Sequence, residues 1–172
     1  MDSSLALESR KVAGLPLVNS ILDRLGFDRL LAKALPAGGR LDAARALGVL
    51  VRNIALHDRQ PVYTHVEWAR QVEASLVGLK PGQADLLNDD RVGRALDRLF
   101  DADRAVLMTE LVLTTLRDFK VDVDQLHNDS TTLTLSGDYR EADGKEQRGK
   151  PTLRVTYGHN KDHPPHLKQL LI

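Results

Sequence analysis

The sequence predicts an α+β protein, an all-helical amino-terminal bundle followed by the opening strands of a second, incomplete domain. Two observations carry that prediction. Apolar residues recur with a period near 3.6 from residue 15 to about 119, and with a period near 2 from "KVDVDQLHNDST" onward. The polar stretch "DYREADGKEQRGKP", with its Asp143-Gly144 turn signal, then separates two strand-like runs. The expected division is a helical domain over residues 12-120 and a second domain over 121-172.

The helices follow in order. Val18, Ile21, Leu22 and Leu25 fall at i, i+3, i+4 and i+7, and Gly26 is placed to end that helix. A short second helix carries Leu30, Leu31 and Leu35 and is closed by "LPAGG". The third starts near Asp42, carries Leu47, Leu50, Val51 and Ile54, and ends before "HDRQP". Pro61 suits the first turn of a fourth, with Val62, Val66 and Ala69 on its stripe. Trp68 and Tyr63 are expected in the bundle core rather than as stacking platforms for bases. In "LNDDRVGRALDRLF" Asn88 is the expected N-cap, Asp89 and Asp90 suit the helix dipole, and Val92, Ala95, Leu96 and Leu99 form the stripe. Asp101 is expected to cap the last helix, "ADRAVLMTELVLTTLRDF". Its apolar residues extend around much of the circumference, which predicts a central place in the bundle.

Past residue 122, "QLHNDSTTLTLSG" and "TLRVTYGHN" read as the two arms of a hairpin with a long, mobile loop. Alternation puts His127, Asp129, Thr131, Leu133 and Leu135 on one face. A carboxylate in line with apolar neighbours costs free energy unless it is paired, hydrogen-bonded or holding a metal. The plain reading of Asp129 is a strand-end aspartate bonded to nearby backbone; the other is a metal ligand. A third apolar run, "LKQLLI", follows "NKDHPPH". One hairpin is barely stable in water, so the sequence looks cut off part-way through its second domain.

Composition narrows the function. With 24 basic and 24 acidic residues the net charge is zero, which argues against a strongly electrostatic DNA binder but leaves room for a local patch. There is no cysteine, hence no disulfide framework, thiolate zinc site or cysteine nucleophile. The start, "MDSSLALESRKVAG", has none of the features of a secretory signal, and no apolar run approaches the ~20 residues that span a bilayer. The expectation is a cytoplasmic protein without membrane contact.

"LHNDSTTLTLSGDY", followed after a polar loop by "YGHNKDHPPHLKQLLI", resembles bacterial insertion-sequence transposases of the DDE class, whose catalytic domain has the ribonuclease H-like fold. "LNDDRVGRALDRLF" and "RQPVYTHVEWA" resemble the amino-terminal region of one branch of that class. The resemblance implies that Asp129, followed by Ser130, Thr131 and Thr132, is the first catalytic and metal-binding carboxylate of a triad. Two magnesium ions would activate water, and later a DNA 3′-hydroxyl, for in-line attack on phosphorus. The family's second aspartate and its glutamate lie downstream of residue 172, so this chain is expected to hold magnesium weakly or not at all and to be inactive alone. Where the family shows "KDxRPDLKQ" this sequence has "KDHPPHLKQ", with Pro164 and His166 replacing two charged residues. That departure suggests a decayed or truncated gene copy. DNA at transposon ends is the implied partner, with a second copy or an intact transposase besides. The alternative is a non-catalytic module that binds DNA or transposase as an inhibitor, or an inactive remnant.

Arg91, Arg94 and Arg98 fall at i, i+3 and i+7 and could grip a DNA backbone; Asp90 and Arg94 form an i,i+4 pair, which is the solvated-face reading of the same residues. The resemblance suggests that Lys161 faces DNA phosphate. His159, His163 and His166 with Asp162 would make a metal cluster only against Pro164 and Pro165, which bar a shared helical face.

Overall fold

The computed structural model describes residues 9–56, 61–125, 132–135, 139, 142–157 and 168–171. The chain divides into two compact units, Met1–Asp122 and Val123–Ile172. The first is helical and the second carries the strands.

Six α-helices build the first unit: α1 (Leu15–Arg24), α2 (Phe27–Ala34), α3 (Ala43–Ala55), α4 (His65–Gln71), α5 (Asp89–Asp101) and α6 (Arg104–Phe119). Their ends are written in the sequence. Asp42 accepts from the Arg45 N–H at 2.8 Å and Asn88 from the Arg91 N–H at 2.8 Å, so each is an N-cap. Gly26, at φ +59°, takes the left-handed conformation that closes α1 and opens α2. The cap of α6 is Asp103, which accepts from the Val106 N–H; Asp101, the expected cap, is instead the last residue of α5. Pro61 precedes a 3₁₀ turn, Val62–Thr64, that leads into α4.

The core is centred on α3. This helix packs against α5, α2 and α1 and buries Ala43, Ala46, Leu47, Gly48 and Val49. Small residues let several neighbours approach closely, which is how one helix can be covered from several sides. Leu15, Leu31, Leu35, Trp68, Val77, Leu87 and Ala95 belong to the same cluster. Three expected core positions face outward instead: Ile21, Ile54 and Leu96 are exposed, because the buried stripes run through Leu15–Leu22, Ala46–Asn53 and Val92–Ala95. Tyr63 is also exposed, at 72%, while Trp68 is buried.

The expectation that α6 is central is overturned. None of its residues is buried, and Val106, Met108, Val112 and Leu113 are each about half exposed. It packs on α2 alone among the helices with extended contact, anchored by a Lys33–Glu110 ion pair. Arg24 adds a hydrogen bond to the Asp118 carbonyl and stacks 3.9 Å from the Phe119 ring centre. Apolar residues around much of a circumference thus mark an uncovered face here, not a core position.

In the second unit β1 (Thr132–Leu135), β5 (Lys168–Leu171) and β4 (Thr156–Tyr157) form an antiparallel sheet in the order β1-β5-β4. The expected hairpin between the first two runs is therefore corrected: β5 pairs with both and separates them. Four-residue β5 matches the full length of β1, from Thr132 opposite Leu171 to Leu135 opposite Lys168, whereas β4 offers only two residues. The described part of the long loop carries a hairpin of its own. β2 (Glu146–Gln147) and β3 (Lys150–Pro151) pair across Arg148 and Gly149, both at positive φ, the pattern of a type I′ hairpin turn. Asp143-Gly144, the sequence's turn signal, lies outside that turn, where Asp143 bridges to Arg154.

Candidate functional site

Three arginines of α5 line a cleft beside the α2–α3 linker, and two of them bond to it. Arg91 Nη1 donates to the Leu41 carbonyl at 3.0 Å, and Arg98 Nη1 makes a long 3.5 Å bond to the Pro36 carbonyl. Arg94, between them, is exposed and pairs through Nη1 with Asp90 Oδ2 at 2.6 Å. The three line a small cleft of about 80 Å³ with Gly38, Gly39, Leu41, Ala43 and Ala95. The i, i+3, i+7 spacing thus sets the three arginines along one cleft, and the i,i+4 pair of the solvated-face reading is present as well. The roles differ. Arg91 is half-buried, tied to the linker, and its buried Nε has no partner among the described residues. Arg94 and Arg98 are the solvent-facing cations.

A second polar centre escaped the sequence reading. Arg52, 4% exposed, forms a bidentate pair with Asp28, Nη1 to Oδ1 at 3.0 Å and Nη2 to Oδ2 at 2.8 Å. Its Nε donates to Asn19 Oδ1 at 2.7 Å and Nη1 also to the Gly48 carbonyl at 3.1 Å. Asn19 Nδ2 in turn donates to the Leu76 carbonyl at 2.7 Å. One guanidinium therefore ties α1, α2 and α3 to the 3₁₀ turn Ala74–Val77. It borders a cleft of about 260 Å³ lined also by Asp42, Arg45 and Gly78. With its donors engaged, Arg52 is a structural clamp. Its neighbour Asn53 and, in α4, His65 are buried too; neither Asn53 amide atom nor His65 Nε2 finds a partner among the described residues.

Asp129 and Lys161 lie outside the described residues, as do His159, Asp162, His163 and His166. β1 begins three residues beyond Asp129. Among the described residues no group of three or more metal-ligating side chains is present. No helix among them is long and apolar enough to cross a membrane.

A family described as Domain of unknown function (DUF4277) matches residues 7–113, a stretch contained in the helical unit. No curated protein and no solved structure matches the chain.

Proposed function

The chain belongs to the DUF4277 family, a domain of unknown function, and we propose that this member is the amino-terminal portion of a DDE transposase. In this reading the helical unit engages DNA at transposon ends. The second unit opens a ribonuclease H-like catalytic domain, with Asp129 as its first metal-binding carboxylate. The observation that carries the reading is the gathering of Arg91, Arg94 and Arg98 into one cleft, on the helix whose sequence resembles the transposase amino-terminal region. Support for the second part comes from the resemblance around "LHNDSTTLTLSGDY" and from an antiparallel sheet whose first strand follows Asp129.

Magnesium would be held by Asp129 together with further carboxylates, and would polarise the phosphoryl group and activate the attacking oxygen. Because divalent ions are held by several protein oxygens or by substrate phosphates, Asp129 alone binds magnesium weakly. Titration calorimetry that found micromolar binding, abolished in Asp129→Asn, would contradict that.

The DNA reading is tested by fluorescence anisotropy of the chain with a duplex copied from the terminal repeat of its own element, against a scrambled duplex of equal length. A preference of about tenfold or more for the repeat is expected, the low end of specific over non-specific recognition. Equal affinity for both would reduce the helical unit to non-specific attraction, and absence of binding would remove the DNA reading.

A further inference from the structure

We propose that the cleft between the Gly38–Gly39 turn and α5 seats a single phosphate group of the DNA backbone, with Arg94 and Arg98 as its cationic contacts and Arg91 as the residue that holds the turn in place. The assignment rests on the DNA reading above and divides the labour among three arginines that the sequence treats alike.

Charge points to the ligand: the cleft is small, about 80 Å³, and two of its lining side chains, Arg94 and Arg98, are exposed guanidinium groups. The lining is suited to an anion as well. Gly39 stands at φ +78°, and a Cβ added at Gly38 would meet nothing within 4 Å, so backbone is open to close approach there. The N–H groups of Gly38 and Gly39 donate to no partner among the described residues. Successive free amides around a left-handed residue are the elements of an anion-binding nest.

The arginines complete it in different ways. Arg91 and Arg98 reach the carbonyls at the two ends of the turn, Leu41 and Pro36. The Arg91 bond is of ordinary length, 3.0 Å, and half-buried, which suits a fixed strut. The Arg98 bond, at 3.5 Å, is at the edge of hydrogen-bond length and readily exchanged for a charge-assisted bond to phosphate. Arg94 is presented from the turn of helix between them, but Asp90 holds it at 2.6 Å. The Asp90 carboxylate is therefore a built-in competitor for the same guanidinium. A phosphate entering the cleft displaces it.

The test uses the whole chain, a 20-base-pair duplex and inorganic phosphate. Each phosphate contact contributes about one unit to the slope of log affinity against log salt. Arg94→Gln and Arg98→Gln are each expected to flatten that slope by about one. Asp90→Asn is expected to tighten binding about two- to fivefold at low salt, the range of an exposed ion pair, and the gain should vanish when Arg94→Gln is added. Arg91→Gln should lower the melting temperature, which the other two arginine changes leave in place. In amide NMR spectra, inorganic phosphate should shift the Gly38 and Gly39 signals saturably, and Arg98→Gln should abolish the shift. A chain that binds the duplex with slope and affinity unchanged in Arg94→Gln and Arg98→Gln overturns the cleft while leaving the DNA reading intact. No duplex binding, with glycine shifts that saturate, overturns the DNA assignment and leaves an anion site. Neither signal overturns both.

Discussion

Arg52 shows how much of this molecule rests on one side chain that the sequence did not advertise. Its pair with Asp28 is buried on the arginine side, 4%, and open on the aspartate side, 55%. Breaking a fully buried pair costs about 3–5 kcal/mol, but Asp28 can return to water, so Arg52→Met should cost about 2–3 kcal/mol in urea unfolding. Gly48 supports the same clamp. A Cβ there would lie 3.0 Å from Asp28 Oδ1 and 3.1 Å from Arg52 Nη1. In an exposed helix Gly→Ala gains about 1 kcal/mol; here Gly48→Ala is expected to lose stability, and a rise in melting temperature would show that the clamp yields. At the surface, Asp143 offers a pH test. Its carboxyl is held below the ordinary aspartate range, first by the Lys145 ammonium at 2.6 Å and then by the Lys145 backbone N–H. A depressed carboxyl contributes above its unfolded pKa and loses that contribution as pH falls through its folded value. The pair lies at the surface, so the effect belongs to the local turn. Carbon-detected NMR titration should find Asp143 titrating lower than usual and moving only part of the way back in Lys145→Met, which keeps the backbone N–H.

At the scale of elements, α6 carries the sharpest departure from expectation and a direct test. If Met108 and Leu113 face solvent, as their 56% and 59% exposure states, Met108→Lys and Leu113→Lys should each change stability by no more than about 0.5 kcal/mol. Losses of 2 kcal/mol or more in chemical denaturation would mean that the face is covered. The same comparison shows what is legible in a sequence. N-caps at Asp42 and Asn88 and the left-handed Gly26 were readable because their physics is confined to three or four neighbouring residues. The phase of each apolar stripe was less so. Large residues such as Ile21, Ile54 and Leu96 drew the reading one way, while Ala43, Ala46, Gly48 and Ala95, the small residues that permit close helix contact, marked the buried side. Arg52 was invisible because an arginine within a helix ordinarily lies on its polar face. Strand existence was legible in the period of 2 near Thr132–Leu135, but the pairing with Lys168–Leu171 depends on partners more than thirty residues apart. Of the site, the convergence of Arg91, Arg94 and Arg98 follows from helical spacing alone; the linker they meet, Pro36–Leu41, does not.

At the scale of the whole molecule, zero net charge decides how DNA could be held. With 24 basic and 24 acidic residues, the chain generates no broad field to gather polyanions, and any attraction comes from a few oriented groups. Even in α5 the three arginines are outnumbered by four aspartates, Asp89, Asp90, Asp97 and Asp101. Affinity must then come from a small number of phosphate contacts. Each releases counterions with a slope near −0.9. Arg94 and Arg98 give about −1.8, and Lys161, if it also meets phosphate, brings the total to about −2.7. The expected slope of log affinity against log salt for the chain and its terminal-repeat duplex is therefore between about −2 and −3. Such a complex loses only one to two decades of affinity between 50 mM and 200 mM salt, against roughly three to five for proteins making six to ten contacts. Lys161→Gln should flatten the slope by about one unit while leaving the Gly38 and Gly39 amide signals where they were. A slope of −5 or steeper would mean that the chain binds through a wider basic surface than α5 presents, and would move the search for its DNA contacts away from the Gly38–Gly39 cleft.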